Sequence, residues 1–167
     1  MKTRMIALAV LVCAVFSSCT VQTQFDVYSF VQRFNALSQD EILSTDDFLS
    51  DKENSLCAFF KIGESELLIT LYENENGSLD GVSVTAAKSL YNENDLSEII
   101  NTVYRVFGAF NYGDTDRAKE KLMSVGFDGD FEPFYDEYRG ETDEKYKITL
   151  YSDEYSFTVS QEKNPRD

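Results

Sequence analysis

The sequence contains no histidine and no tryptophan, only two prolines, and half as many basic residues as acidic ones, 15 against 30. Without histidine the chain lacks the usual general base of enzymes and the commonest ligand of transition metals. The negative charge repels phosphate backbones and therefore disfavours nucleic-acid binding. Neither a glycine-rich phosphate loop nor a Gly-x-Ser-x-Gly motif occurs. These absences favour a protein that binds over an enzyme, and they point to no cofactor.

The first residues have the three parts of an export signal. Lys2 and Arg4 form a basic start, Met5 to Phe16 is an almost unbroken apolar run, and two serines follow. A run of about twelve residues is too short to cross roughly 30 Å of hydrocarbon as a permanent helix. The sequence therefore predicts that residues 1–18 are a signal peptide.

Phe16-Ser17-Ser18-Cys19 resembles the lipobox of bacterial lipoproteins, in which a cysteine follows an aliphatic residue and two small ones. Phe16 stands where that family usually has leucine. The resemblance implies that Cys19 receives a diacylglycerol on its sulfur and becomes the first residue of the processed chain. We therefore expect a lipid-anchored, extracytoplasmic protein of the cell envelope, with residues 19–24 as a tether. A plain secretory signal cut near Ser18 is the alternative.

Processing at this site would leave a strongly acidic chain with one further cysteine. Loss of residues 1–18 removes two of the 15 basic residues and no acid, so 13 face 30 acidic ones, a net charge of −17. Cys57 then has no intramolecular disulfide partner. It lies among apolar residues at 56–60, where a buried thiol packs like a small hydrophobic side chain. Because the chain has no histidine to activate a thiol, the sequence predicts that Cys57 is a core residue.

The chain between residues 25 and 162 contains the same pattern twice. Ile69-Thr70-Leu71-Tyr72 recurs 79 residues later as Ile148-Thr149-Leu150-Tyr151. A helical pattern ending in an aromatic cluster precedes each copy, and a second alternating run follows each copy. The order of elements predicts one domain of two pseudo-repeats, about 25–88 and 94–162, followed by a tail at 163–167.

Apolar spacing and capping residues predict three helices. The first runs from about Asp26 to Leu37. The second begins at Asp95, where Asp-Leu-Ser-Glu98 is similar to a capping box. The third begins with Asp114 as its cap and ends at Gly126, a residue that tolerates the left-handed conformation.

Alternation of apolar and polar residues predicts the strands. Residues 67–72, 146–151 and 155–159 each have one face for the core and one for water, as antiparallel strands do. Asn76-Gly77 predicts a turn in the first hairpin, and Asp153-Glu154 predicts one in the second.

These elements predict an α+β fold, in which two pseudo-repeats each have helices followed by antiparallel strands, with the helices packed on one face of the sheet. Residues 130–138 are expected to form a strand or an irregular sheet edge. The layout resembles that of the β-lactamase inhibitory proteins, which repeat a helix–helix–sheet unit in tandem. The likeness concerns the layout alone and implies no function.

The side of the strands that is expected to face water carries hydroxyl groups and tyrosines. Thr70 and Tyr72 lie on it in the first repeat, and Thr149 and Tyr151 lie on it in the second. Tyrosine is favoured at binding surfaces because it offers a large apolar area with a polar tip at little entropic cost. Both residue types are also good strand formers on any exposed face. We expect these four residues to contribute to a surface that binds a protein or a glycan.

Two other functions remain open from the sequence. A pair of carboxylates could act as a cell-envelope hydrolase, although 30 acidic residues make a suggestive pair easy to find. Asp128, Asp130 and Glu132 place carboxylates at alternate positions, a pattern that could bind Ca²⁺. Pro133 stands where a helix-flanked calcium loop needs glycine, and ordinary polar turns have the same composition.

Overall fold

The computed structural model describes residues 24–38, 42–52, 54–134, 138–140 and 146–163. These residues contain three α-helices, α1 (Val27–Leu37), α2 (Leu96–Phe110) and α3 (Thr115–Met123). They also contain seven strands, β1 (Leu49–Lys52), β2 (Ser55–Ile62), β3 (Ser65–Glu73), β4 (Leu79–Ala87), β5 (Tyr138–Gly140), β6 (Tyr146–Ser152) and β7 (Ser156–Lys163). Short 3-10 turns lie at Thr45–Asp47, Lys88–Leu90 and Glu93–Asp95.

All seven strands belong to one antiparallel sheet with the order β1-β2-β3-β4-β7-β6-β5. The first four strands follow one another along the sheet, and the last three follow in reverse order. Strands β4 and β7 pair at the junction, so both halves of the chain share the sheet. The predicted α+β fold is confirmed.

The core lies between the helices and one face of this sheet. Burial alternates along β3, where Leu67, Ile69 and Leu71 are fully buried and the residues between them are half-buried. The ring of Phe34 in α1 meets that of Phe60 in β2 edge-on, with centroids 5.4 Å apart. Phe107 of α2 is fully buried in the same cluster. In the described part of the chain, the helices therefore cover one face of the sheet and leave the other open.

Two of the three predicted helix starts have the expected cap. The Asp26 carboxylate accepts a hydrogen bond from the backbone N–H of Ser29 at 2.9 Å, and this bond holds the pKa of Asp26 below its ordinary value. The Asp114 carboxylate accepts from the N–H of Arg117 at 2.9 Å. Gly126 follows α3 with φ +88°, as its predicted role requires.

The capping box predicted at Asp95 is wrong. The 3-10 turn Glu93–Asp95 runs directly into α2, so Asp95 has helical backbone angles where an N-cap residue is extended, and it makes no cap hydrogen bond. Its carboxylate instead accepts hydrogen bonds from the N–H groups of Glu64 and Ser65, each at 3.0 Å. The hydroxyl of Ser65 donates to it at 2.8 Å. Asp95 therefore attaches the β2–β3 turn to the start of α2.

The first hairpin turn is as predicted, with Gly77 at φ +73°, but the second is shifted by one residue. The N–H of Asp153 donates to the carbonyl of Ser156 at 3.0 Å, so Glu154 and Tyr155 are the central residues of the turn. Tyr155, expected in the last strand, is 70% exposed in this turn. The shift occurs because the Asp153 carboxylate accepts the N–H groups of both Tyr155 and Ser156.

Residues 131–134 form an irregular edge, which is one of the two forms expected for residues 130–138. Residues 131–134 contain no regular element, yet the side chains of Phe131 and Phe134 are buried. The N–H of Phe134 donates to the hydroxyl of Ser152 at 3.0 Å, which fixes the segment against β6. Residues 135–137 lie outside the described residues, and β5 pairs with β6 at the sheet edge.

Candidate functional site

The open face of the sheet has a row of small hydroxyl side chains across its centre. Thr70, Ser83, Ser160 and Thr149 are successive Cα partners on β3, β4, β7 and β6. Each is flanked along its strand by residues of the core face, so all four side chains project to the open side. Thr70 and Thr149, predicted as binding residues, therefore lie at the two ends of this row. Each is one strand outside a central serine.

Tyr72 and Tyr151 lie on opposite sides of this row. Tyr72 is two residues beyond Thr70 on β3, and its hydroxyl is 3.3 Å from that of Ser83. The ring lies over β4 at Gly81, where a Cβ would come 3.1 Å from Cδ2 of the tyrosine. Glycine at 81 thus leaves room for the ring to lie flat on the sheet and to cover Ser83, which is only 3% exposed.

Tyr151 is held by a carboxylate rather than by a hydroxyl. Its OH donates to Oδ2 of Asp153 at 2.7 Å. This bond is the main reason why the pKa of Asp153 lies below its ordinary value, and the N–H groups of Tyr155 and Ser156 add to the effect. The four predicted binding residues therefore share one face, and both tyrosine rings have a fixed polar contact.

Further hydroxyl contacts surround the central row. The hydroxyls of Thr85 and Thr158 are 2.8 Å apart across the β4–β7 junction. The predicted core position of Cys57 is wrong, because Cys57 pairs with Thr70 and its sulfur lies 3.5 Å from the threonine Oγ1 on the open face. The alternation of β2 directs Ala58 and Phe60 to the core instead, and Cys57 is half-buried.

The open face becomes apolar toward β1. Phe59 on β2 is 65% exposed and pairs with the half-buried Leu68. Leu49 on β1 is 71% exposed and pairs with Cys57. Sequence reasoning missed this margin because the continuous run at 56–60 reads as buried on both sides. The period of two along β2 arises because the helices cover a single face of the sheet.

A cleft of about 320 Å³ lies at the end of the sheet where β4 leads into α2. The rings of Tyr91 and Phe134 meet there edge-on at 5.1 Å, and the ammonium of Lys88 lies 5.8 Å from the Phe134 centroid. Glu93 and Glu132 also line the cleft. Its volume is at the lower end of the range of small-molecule sites. Sequence reasoning assigned no role to Tyr91, since the pairing of rings so far apart in the chain depends on the tertiary fold.

The three residues proposed for calcium do not converge. The carboxylate of Asp128 accepts a hydrogen bond from the N–H of Asp130 at 3.0 Å, which is the geometry of a polar turn. Asp130 and Glu132 are exposed. Among the described residues, no three His, Cys, Asp or Glu side chains are grouped so that they could hold a metal ion.

The predicted signal, Cys19 and most of the tether lie outside the described residues. Among the helices that are described, none has both the length and the apolar composition needed to cross a bilayer. Comparison of the chain with protein-family models, with curated proteins and with solved structures finds no match.

Proposed function

We propose that this chain is a lipid-anchored, extracytoplasmic binding module of a bacterium, and that the open face of its sheet takes a protein partner. The observation that carries the binding proposal is the grouping of Thr70, Tyr72, Thr149 and Tyr151 around one row of hydroxyls on a face that no described helix covers. The proposed anchor rests on Cys19 and the signal pattern before it.

The chemistry of this face suits association better than reaction. Hydroxyl groups donate and accept hydrogen bonds, and tyrosine rings held by Ser83 and Asp153 lose little conformational entropy when a partner covers them. The hydroxyls of Thr85 and Thr158 already contact each other, so their burial by a partner does not leave this pair without a hydrogen bond.

The apolar margin favours a protein over a glycan as the partner. Leu49 and Phe59 extend the open face with large exposed apolar side chains. Protein interfaces combine such side chains with tyrosine and a polar surround. The margin and the hydroxyl row together span the sheet from β1 to β6, which gives a partner both kinds of contact on one surface.

Co-purification from cross-linked cell envelopes tests the binding proposal. The wild-type chain should retain a partner that Tyr72→Ala/Tyr151→Ala loses, because the double variant removes both rings from the open face. The matched control is Tyr28→Ala/Tyr155→Ala, which removes two tyrosines that are 58% and 70% exposed outside that face. The control should keep the partner. Equal retention by both double variants, with both folded by circular dichroism, would exclude the open face as the binding surface.

A further inference from the structure

The start of the described chain is fixed to the loop between β3 and β4. The carbonyl of Phe25 accepts hydrogen bonds from the N–H of Leu79 at 2.7 Å and from the hydroxyl of Ser78 at 3.3 Å. The side-chain amide of Gln24 donates to the carbonyl of Asn76. The polypeptide therefore enters the domain at a defined point beside this loop.

Aromatic and cationic contacts hold the same point from α1 and from the end of α2. The ring of Phe25 lies 5.9 Å from that of Phe110 at the end of α2. The guanidinium of Arg33 lies 4.3 Å from the Phe25 centroid and 5.0 Å from that of Tyr112. Because both the β3–β4 loop and the turn after α2 contact Phe25, the entry point is part of the packed domain.

The entry point identifies one end of the molecule, which we call the anchor end. It is formed by Gln24 and Phe25, the β3–β4 loop at 74–78 and the α2–α3 turn at 111–114. The cleft at Tyr91 lies at the opposite end, where β4 finishes. Strands of nine residues separate the two ends by roughly 25–30 Å.

Two exposed tyrosines lie at the anchor end, and the hydroxyl of the first, Tyr28, accepts a hydrogen bond from the side-chain amide of Gln32 at 2.6 Å. Tyr28 in the first turn of α1 is 58% exposed, and Tyr112 after α2 is 75% exposed. Tyr112 has φ +64°, a conformation that side chains this large seldom adopt. Tyrosine rings with wet hydroxyls are enriched where a protein meets the headgroups of a membrane. Exposed charges near this end have both signs: the acidic residues are Glu75, Asp114 and Glu162, and the basic ones are Lys147 and Lys163.

We propose that the anchor end lies against the lipid headgroups, with Tyr28 and Tyr112 at the membrane surface and the Tyr91 cleft directed away from it. This inference rests on the proposed lipid anchor at Cys19. The chain from Cys19 to Gln24 spans at most about 18 Å, so the lipid keeps the entry point close to the bilayer. That reach is shorter than the sheet, and Phe25 is part of the packed domain, so the anchor favours orientations in which the anchor end is directed toward the bilayer.

Depth-dependent fluorescence quenching tests the orientation on the full, lipidated chain. In a Cys57→Ser background, a fluorophore is attached at Glu75→Cys in the anchor end or at Tyr155→Cys in the opposite β6–β7 turn. The protein is reconstituted in vesicles of phosphatidylethanolamine and phosphatidylglycerol that carry a quencher on the headgroup. Quenching should be several-fold stronger at position 75 than at position 155. Equal quenching, or stronger quenching at 155, overturns the proposal.

Two accompanying measurements separate the possible failures. Metabolic labelling with a fatty acid, compared with Cys19→Ala, reports on the anchor itself. Absence of the label overturns both the anchor and the orientation, whereas a labelled protein with equal quenching overturns the orientation alone. Tyr28→Ser/Tyr112→Ser should reduce quenching at position 75. Unchanged quenching in that variant would overturn the part assigned to the tyrosines.

Discussion

Ser83 and Ser160 are direct Cα partners at the junction of β4 and β7, and the two copies of the repeated tetrapeptide lie symmetrically about them. Thr70 pairs with Ser83 on one side, and Thr149 pairs with Ser160 on the other. Tyr72 and Tyr151 then fall on opposite sides of the row. The repeat in the sequence therefore becomes a symmetric arrangement, on one surface, of the four residues that we propose bind a partner.

The attachment of the β2–β3 turn to α2 depends on Asp95. Asp95→Ala removes the acceptor of three hydrogen bonds and should lower the free energy of unfolding by about 2–3 kcal/mol, since bonds to a charged group are the stronger ones. Asp95→Asn retains an acceptor oxygen and should lose less. Urea unfolding measures both. Glu93→Ala, an exposed position in the same turn, is the control, and a loss as large as that of Asp95→Ala would contradict the assignment.

A pair of amides is buried in the core between α2 and β7. Asn111 and Gln161, 7% and 0% exposed, exchange hydrogen bonds at 2.9 and 3.1 Å. Asn111→Leu leaves the Gln161 amide without this partner and should destabilise the protein by about 2 kcal/mol. Adding Gln161→Met should recover part of that loss, because both partners are then apolar. A double-mutant cycle by urea unfolding measures the coupling, and additive losses would contradict it.

The opposite directions of Cys57 and Ala58 give a direct test of which face is open. Cys57→Ser places a hydroxyl beside Thr70 at a half-buried position and should change the free energy of unfolding by less than about 0.5 kcal/mol. Ala58→Ser places the same group in the core at 1% exposure and should cost about 1–3 kcal/mol. Thermal or urea unfolding compares the two variants. A larger loss at position 57 than at 58 would show that the faces are assigned the wrong way round.

The hydrogen bond from Tyr151 should be visible in the titration of Asp153. A lowered carboxyl pKa stabilises the fold above the ordinary aspartate range, and this stabilisation is lost as the pH falls through the folded-state value. Tyr151→Phe removes the largest cause of the shift, so the pKa of Asp153 should rise toward its ordinary value. Carboxyl NMR titration measures it. Tyr72→Phe, whose hydroxyl contacts Ser83, should leave Asp153 unchanged, and an equal rise in both variants would exclude a specific bond.

Period-two alternation in the repeated strands was enough to predict the core face and the open face. The same alternation predicts that Thr70, Tyr72, Thr149 and Tyr151 share the open face, as they do. It misplaced Cys57 because a run of five apolar residues has no visible period. The exposed Phe59 in that run is distinguished from the buried Phe60 only by its pairing with Leu68.

The errors at Asp95 and Asp153 both concern which backbone N–H groups an aspartate accepts, nearby ones for Asp153 and distant ones for Asp95. An aspartate can accept backbone N–H groups at a helix start or in a turn, and also those of a segment distant in sequence. Asp95 binds the turn at Glu64 and Ser65, about thirty residues earlier, which local spacing does not reveal. The sequence does not predict the Tyr91 cleft either, because the cleft forms only when segments distant in sequence pack together.

The most direct test of the central claim is site-specific photo-crosslinking in living cells. A photoreactive phenylalanine analogue replaces Tyr72 or Tyr151 on the open face, and Tyr28 or Tyr155 outside it. The account predicts that positions 72 and 151 yield an adduct with the same protein, and that positions 28 and 155 do not. Adducts of equal yield at all four positions, or at 28 and 155 alone, would contradict binding through the open face.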